Sequence, residues 1–156
     1  MYRFLEDLKT YIEYRFQNDG DISVQKKPKV YNSYQIQHSP SSKNPEIQIQ
    51  PLNKSETIEY TTFCGKRANS IPVQITALCG QMKIAKIDYS AQDSSVIFAD
   101  KIDAYVYDYI YGSGNKNLYG GRIITVSPAL PLNYGGSMYA TSVRFDFIVA
   151  HPYVAG

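Results

Sequence analysis

The stretch Tyr139–Ala150, YATSVRFDFIVA, decides the fold of this chain because its side chains alternate in character along their whole length. One set is largely apolar: Tyr139, Thr141, Val143, Phe145, Phe147 and Val149. The alternate set is mixed: Ala140, Ser142, Arg144, Asp146, Ile148 and Ala150. Successive side chains of a β-strand point to opposite faces of its sheet. The stretch therefore predicts one long strand with an apolar face and a mixed face.

Two other stretches have the periodicity of amphipathic helices. In residues 2–16 the apolar side chains recur at i, i+3 and i+4 spacing, and Asn18–Gly20 is predicted to end the helix through a left-handed residue. A second, longer helix is predicted to begin after an N-cap at Asp93 or Ser94 and to end at Gly112. Each helix has one apolar stripe that needs a cover.

Shorter strand patterns and loops fill the rest of the chain. The strand patterns are Ile22–Val24, Val30–Gln37, Glu46–Gln50, Thr57–Phe63, Ile71–Cys79 and Arg122–Val126. Turns or loops are predicted at His38–Pro45, Cys64–Arg67, Gly112–Gly121 and Pro128–Gly136, and Gln81–Tyr89 fits either a short helix or an extended connection. We therefore predict an α+β fold: a mainly antiparallel β-sheet packed against the N-terminal amphipathic helix and one long central helix, in a single domain over residues 1–156.

The composition is that of a globular protein and argues against several classes of function. Hydrophobic residues make up 44% of the 156 residues, and the net charge of +2 is too small to indicate a dedicated nucleic-acid or membrane-surface protein. No apolar run approaches the roughly 18 residues that a membrane-spanning helix requires. The fifteen tyrosines suit subunit interfaces, or equally the half-buried rings of an ordinary β-protein. Cys64 and Cys79 are expected to be free thiols, although pairing between them stays open.

No spacing of residues predicts catalysis, a metal site or a cofactor site. The two histidines, His38 and His151, lie in a predicted loop and at a strand end, without the spacing of a zinc site. The glycines of Gly112–Gly121 lack the Gly-Lys-Ser/Thr sequence and the following helix of a phosphate-binding loop. Acidic residues on the helices are interpreted as solvated faces. We therefore expect a protein that is not an enzyme, with no cofactor.

Basic residues form two small clusters. The first contains Lys26, Lys27 and Lys29, and the second contains Lys66 and Arg67. Such clusters either contact a phosphate backbone or simply keep loops solvated.

The order of the predicted elements is itself distinctive. After the N-terminal helix come EIQIQP at 46–51, SIPVQITALCG at 70–80 and the long helix DSSVIFADKIDAYVYDYI at 93–110. A loop-flanked pair, GGRIITVSPALP at 120–131 and SMYATSVRFDFIVAHPY at 137–153, closes the series. This order and the chain length resemble the tail terminator proteins, also called tail-completion or minor capsid proteins, of long-tailed double-stranded DNA phages.

The resemblance implies a structural protein of the virion, placed at the head-proximal end of the tail and assembled in the host cytoplasm. Proteins of this family form a ring, commonly a hexamer, on the last ring of tail tube protein, where they end tube growth and join neck proteins of the head. In contractile tails the ring also contacts the sheath. DNA passes through the lumen without sequence-specific binding, and Lys26, Lys27, Lys29, Lys66 and Arg67 are then expected to face it.

Three other hypotheses remain open at this stage. A head-completion protein of the neck, acting as a stopper or adaptor, would bind the portal side of the neck instead of the tail tube. A protein-binding domain unrelated to phages would remain monomeric. An enzyme whose site is assembled in space would require a pocket that holds a group with a strongly shifted pKa.

Overall fold

The computed structural model describes residues 2–32, 44–52, 58–61, 67–112, 118–126, 130–131 and 138–150. These residues form two α-helices, α1 (Tyr2–Gln17) and α2 (Ala91–Tyr111), and a short 3₁₀ helix at Val24–Lys26. The strands are β1 (Lys29–Asn32), β2 (Glu46–Pro51), β3 (Ile58–Thr61), β4 (Arg67–Cys79), β5 (Met82–Ile84), β6 (Ile87–Tyr89), β7 (Leu118–Val126), β8 (Leu130–Pro131) and β9 (Tyr139–Ala150).

The main sheet is built around the two longest strands, β4 and β9. Its order is β1-β2-β4-β9-β7, with β3 paired to the beginning of β4 and β8 paired to the beginning of β9. Only β1 and β2 run parallel among these pairs. Strands β5 and β6 form a separate hairpin. The predicted α+β class with a mainly antiparallel sheet is therefore confirmed.

The core lies between one face of this sheet and the two helices. In β9 the side chains from Thr141 to Val149 in steps of two are buried, as the alternation predicts, and the intervening ones are half-exposed. The Phe147 ring lies 5.1 Å from the Phe4 ring of α1, which places the first helix directly over the sheet. Helix α2 packs on β4, β9 and β7, and its Phe98 ring stacks on Phe16 at 5.4 Å. Both helices and the strand thus have the buried stripes that their sequences predict.

The end of α1 differs from the prediction in its mechanism. Gly20 is not left-handed. The Asn18 amide nitrogens, from backbone and side chain, donate to Tyr14 O, and the Lys27 ammonium donates to Phe16 O and Asp19 O. These donors satisfy the last carbonyls of the helix, which otherwise lack partners. The predicted strand at Ile22–Val24 is wrong, because Val24 begins a 3₁₀ turn that brings Lys27 back to the helix end.

The N-cap of α2 lies three residues before Asp93, the nearer of the two predicted N-caps. Ser90 is the N-cap, and its Oγ accepts a hydrogen bond from Asp93 N at 3.1 Å. Ser94, one of the two predicted caps, is instead fully buried inside the helix. Gly112 ends the helix as predicted, but in a right-handed conformation. Glycine is favoured at this position because a Cβ there would lie 2.9 Å from Asp108 O.

Residues 81–89, which fitted two structures by sequence, form the β5–β6 hairpin. Its two-residue turn places Ala85 at φ 52° and Lys86 at φ 67°. Two consecutive left-handed residues are typical of a type I′ turn, which normally selects Asn and Gly. Ala85 and Lys86 instead adopt this left-handed backbone conformation, which is unfavourable for both residue types.

The remaining loop and turn predictions are only partly covered. The predicted loops at Gly112–Gly121 and Pro128–Gly136 are shorter than expected, since β7 begins at Leu118 and Leu130 pairs with β9. Much of the predicted His38–Pro45 loop and Cys64–Arg67 turn lies outside the described residues, as do His38, Cys64 and His151. The single-domain prediction stays a prediction.

Candidate assembly surfaces

The two edges of the main sheet differ in length and in the direction of their strands. Within the described residues, one edge is β7, nine residues long and antiparallel to β9, followed along β9 by the two residues of β8. The opposite edge is made by β1 and β3, each four residues long, and β1 is parallel to its neighbour. Register shifts at the two ends of β7 leave Gly120–Ile123 as its regular part. An edge strand offers a row of backbone donors and acceptors to another chain.

The sheet face opposite the helices is mixed in character; it is half-exposed around Thr76 and Ser142 and buried at Ser70. Thr76 and Ser142, on the neighbouring strands β4 and β9, share a hydrogen bond at 2.8 Å between their hydroxyl oxygens. Further along the same two strands, the Ser70 hydroxyl donates to an Asp146 carboxylate oxygen. One face toward a core and one toward solvent or a partner is usual for antiparallel sheets.

The outer side of α2 carries a small aromatic surface. The rings of Tyr107 and Tyr111 lie 4.9 Å apart, and more than half of each side chain is exposed. Val96, on the same side of the helix three turns earlier, is also exposed. Tyrosine is enriched where protein surfaces contact one another, because its ring is apolar and its hydroxyl accepts water.

The contact between α1 and α2 contains a charged cluster. The Arg15 guanidinium donates to Asp108 Oδ2 at 2.7 Å. Just beyond the end of α1, the Lys101 ammonium donates to Asp19 Oδ2 at 2.8 Å and to Asp21 Oδ2 at 3.1 Å. These ion pairs bind the end of α1 and the following residues to the middle of α2.

Burial and hydrogen bonding oppose each other in this cluster. Burial disfavours the charged forms of both Asp19 and Lys101. The hydrogen bonds that Asp19 accepts from Lys101 and Tyr105 outweigh its burial and hold the pKa of Asp19 below its usual value. The two carboxylates likewise outweigh burial and raise the pKa of Lys101. Both charges are therefore retained, and the cluster is structural.

Interpreted from the sequence alone, the charged side chains of α2 form a solvated face, and this cluster is not predicted. A signal was nevertheless present. Arg15 in the last turn of α1 and Asp19 just after its end are four residues apart, and Lys101 and Asp108 are seven apart on one side of α2. Two helices that run antiparallel bring such pairs together with opposite charges facing each other.

The structure separates the predicted DNA-facing residues. Lys26 and Lys27 lie between α1 and β1, where Lys27 is engaged at the end of α1, and Lys29 is the exposed first residue of β1. Arg67 is the first residue of β4, and Lys66 lies outside the described residues.

The distance between these two groups follows from the strand register. Lys29 pairs with Glu46, which pairs with Leu78, so the first group lies level with the far end of β4. Eleven residues of extended strand separate Leu78 from Arg67, which is roughly 36 Å at about 3.3 Å per residue. The two groups do not form one patch on a single copy, and their common position in a lumen stays a prediction.

Chemistry-bearing groups are sparse in the described parts of the chain. No group of three or more His, Cys, Asp or Glu side chains there is arranged to hold a metal ion. Cys79 is a fully buried free thiol, and burial raises its pKa, which makes it unreactive. Neither helix is long and apolar enough to cross a membrane.

The described residues thus form an α+β protein with two unlike sheet edges and an exposed aromatic surface at Tyr107 and Tyr111. No protein-family model matches the sequence, and neither does any curated protein.

Proposed function

We propose that this protein is a structural ring protein, the tail terminator of a long-tailed double-stranded DNA phage. In this role several copies, six in the usual case, form a ring on the last ring of tail tube protein. The ring ends tube elongation and offers its other side to the neck proteins of the head. The order of helices and strands supports this proposal. The main structural observation behind it is that the two edges of the sheet are unlike.

The unlike edges favour a closed ring over a symmetric pair. When the β7 edge of one copy contacts the β1 and β3 edge of the next, the same contact repeats from copy to copy. Such heterologous contacts generate a ring if the rotation closes. A two-fold dimer would instead join like edges, which leaves one edge of each copy uncovered. Addition of a strand to an open edge is a common mode of protein recognition.

The remaining exposed surfaces are assigned to the partners of the ring. The aromatic surface at Tyr107 and Tyr111 is proposed to contact tail tube protein, neck proteins or, in a contractile tail, the sheath. DNA passes through the lumen, which we propose is lined by basic side chains from Lys26, Lys27, Lys29, Lys66 and Arg67 without reading of sequence.

A pair of proline variants tests the edge contact. Alternate residues of an antiparallel edge strand direct their N–H groups toward the sheet and away from it. Of Arg122→Pro and Ile123→Pro, one therefore removes an inner hydrogen bond and lowers stability, while the other removes only an outward donor. The outward variant is expected to fold normally and to lose ring formation on tube ends. If it still forms rings, the contact through β7 is disproved.

The biological role is tested by electron microscopy of particles assembled with and without this protein. Overlong or irregular tails that fail to join heads are expected when it is missing. Tails of normal length beside heads that lose DNA would assign it to the head-completion proteins. If particles are intact without the protein, and the purified protein stays monomeric beside tube protein, the remaining hypothesis is a binding domain unrelated to phages.

A further inference from the structure

The β5–β6 hairpin and the segment after α1 line a partly open cavity whose residues, apart from Lys26, have no part in the proposed ring. Its volume is about 520 Å³, within the range of small-ligand sites. The residues that line it are Gly20, Asp21, Ser23, Lys26, Lys83, Ala85 and Lys86. A hydrogen bond from Ala85 N to Asp21 O, at 2.8 Å, joins the hairpin to the segment and fixes the two walls.

The lining of the cavity is strongly cationic. It includes three lysines, Lys26, Lys83 and Lys86, and one carboxylate, Asp21. That carboxylate shares the cation Lys101 with Asp19, so it offsets part of the lysine charge and leaves the lining net positive. Lys83 and Lys86 are exposed, and within the part of the chain that the structure describes neither forms an ion pair. Like charges held around one concavity repel one another, and an anion in the middle relieves that repulsion.

The backbone holds Lys86 at the mouth of this cavity in a conformation that lysine disfavours. Its φ of 67°, beside Ala85 at 52°, lies in the left-handed region. A type I′ turn of Asn and Gly would form the same hairpin without strain and without the cation. Strained backbone is frequent at sites that clamp a ligand. The strained backbone at Lys86 supports the anion site that the lysine charges indicate.

We propose that Lys26, Lys83 and Lys86 bind a phosphate-bearing anion in this cavity, with the Ser23 hydroxyl as a further donor. Ammonium groups on flexible stems bind phosphate as point charges and do not require the planar geometry of arginine. The phosphate belongs either to a nucleic-acid backbone or to a small free phosphate compound. The site lies within one copy, so it does not depend on the ring.

The test uses the purified full chain with two probes, a short labelled DNA duplex and inorganic pyrophosphate. Lys83→Gln and Lys86→Gln are compared with Lys9→Gln, which removes one charge on α1 outside both the cavity and the proposed lumen. For the duplex, each cavity variant is expected to weaken binding and to lower the slope of log affinity against log salt by about 0.9. Pyrophosphate is expected to raise the melting temperature of the wild type and of Lys9→Gln, and to raise that of the cavity variants less.

The outcomes separate the two sources of phosphate. Duplex binding that pyrophosphate does not displace supports a nucleic-acid backbone, and a response to pyrophosphate alone supports a small phosphate compound. Cavity variants that match Lys9→Gln with both probes would overturn the proposal. Preferential binding of poly-glutamate over both phosphate probes would overturn it too, in favour of an acidic protein partner.

Discussion

Replacing Lys101 with methionine is expected to destabilise the protein by about 3 kcal/mol. Its ammonium donates to Asp19, whose side chain is 9% exposed, and to Asp21, whose side chain is 55% exposed. A hydrogen bond to a charged group contributes about 1.5–3 kcal/mol, and an exposed ion pair contributes about 0–1 kcal/mol. Without the cation, Asp19 keeps Tyr105 as a side-chain donor but loses its only described counter-ion.

Urea denaturation followed by circular dichroism measures this effect. For a chain of this size, 3 kcal/mol corresponds to a fall in melting temperature of roughly 6–12 °C. Lys9→Met is the matched control, because Lys9 pairs with Glu13 along one helix at 3.8 Å, and it is expected to lose no more than about 0.5 kcal/mol. The double variant Asp19→Asn, Lys101→Met is expected to lose less than the sum of its single variants.

The difference between wild type and Lys101→Met is also expected to depend on pH. Because the folded-state pKa of Asp19 is lowered, its contribution is present above its unfolded value near 3.9 and is lost as pH falls through the folded value. Because the pKa of Lys101 is raised, its contribution is complete below about pH 10.4 and is lost at higher pH. A difference under about 0.5 kcal/mol at pH 7, or additive single variants, would refute this account of the cluster.

Three further predictions concern the hairpin, the core and the buried thiol. Lys86→Gly is expected to stabilise the protein by about 0.5–1 kcal/mol in urea denaturation, since relief of the left-handed strain exceeds the added freedom of glycine when unfolded. Phe147→Ala is expected to lose about 3–5 kcal/mol because the ring is fully buried against Phe4, whereas Ile148→Ala on the half-exposed face should lose much less. In a variant whose other cysteine is replaced by serine, Cys79 is expected to react with a thiol reagent only when the protein unfolds.

Each of these predictions has a clear contrary result. A destabilised Lys86→Gly would show that the lysine side chain makes contacts that exceed the strain of its backbone. Equal losses for Phe147→Ala and Ile148→Ala would contradict the assignment of the two faces of β9. Rapid labelling of Cys79 under native conditions would mean that the sheet opens locally around it.

The elements with strong periodicity could be predicted closely from the sequence. The bounds of β9 are those that its alternation indicates, because one face packs on the core along the whole strand. Helix α1 ends within one residue of its predicted end, because its apolar stripe likewise packs on the core along the whole helix. The start of α2 was harder, because Ser90, Asp93 and Ser94 are all good capping residues and only burial of Ser94 decides among them.

The candidate sites could not be predicted because they combine residues that are distant in the sequence. The cationic cavity joins Lys26 to Lys83 and Lys86 through a hairpin whose turn lacks the usual Asn-Gly signal. Lys27 belongs to a cluster that suggested nucleic-acid contact, yet its ammonium satisfies carbonyls at the end of α1. A count of neighbouring charges cannot show which of them the fold already uses.

The pairing of β4 with β9 has a consequence for synthesis of the chain. Cys79 pairs with Tyr139 and Ala68 with Ala150, so the central ladder joins residues 60 to 82 positions apart. At about 5–20 residues per second, β4 leaves the ribosome roughly 3–16 s before β9 can cover it. Throughout that interval one long side of the apolar strand β4 is open to other nascent chains, so this protein is expected to fold late, slowly and with a need for chaperones.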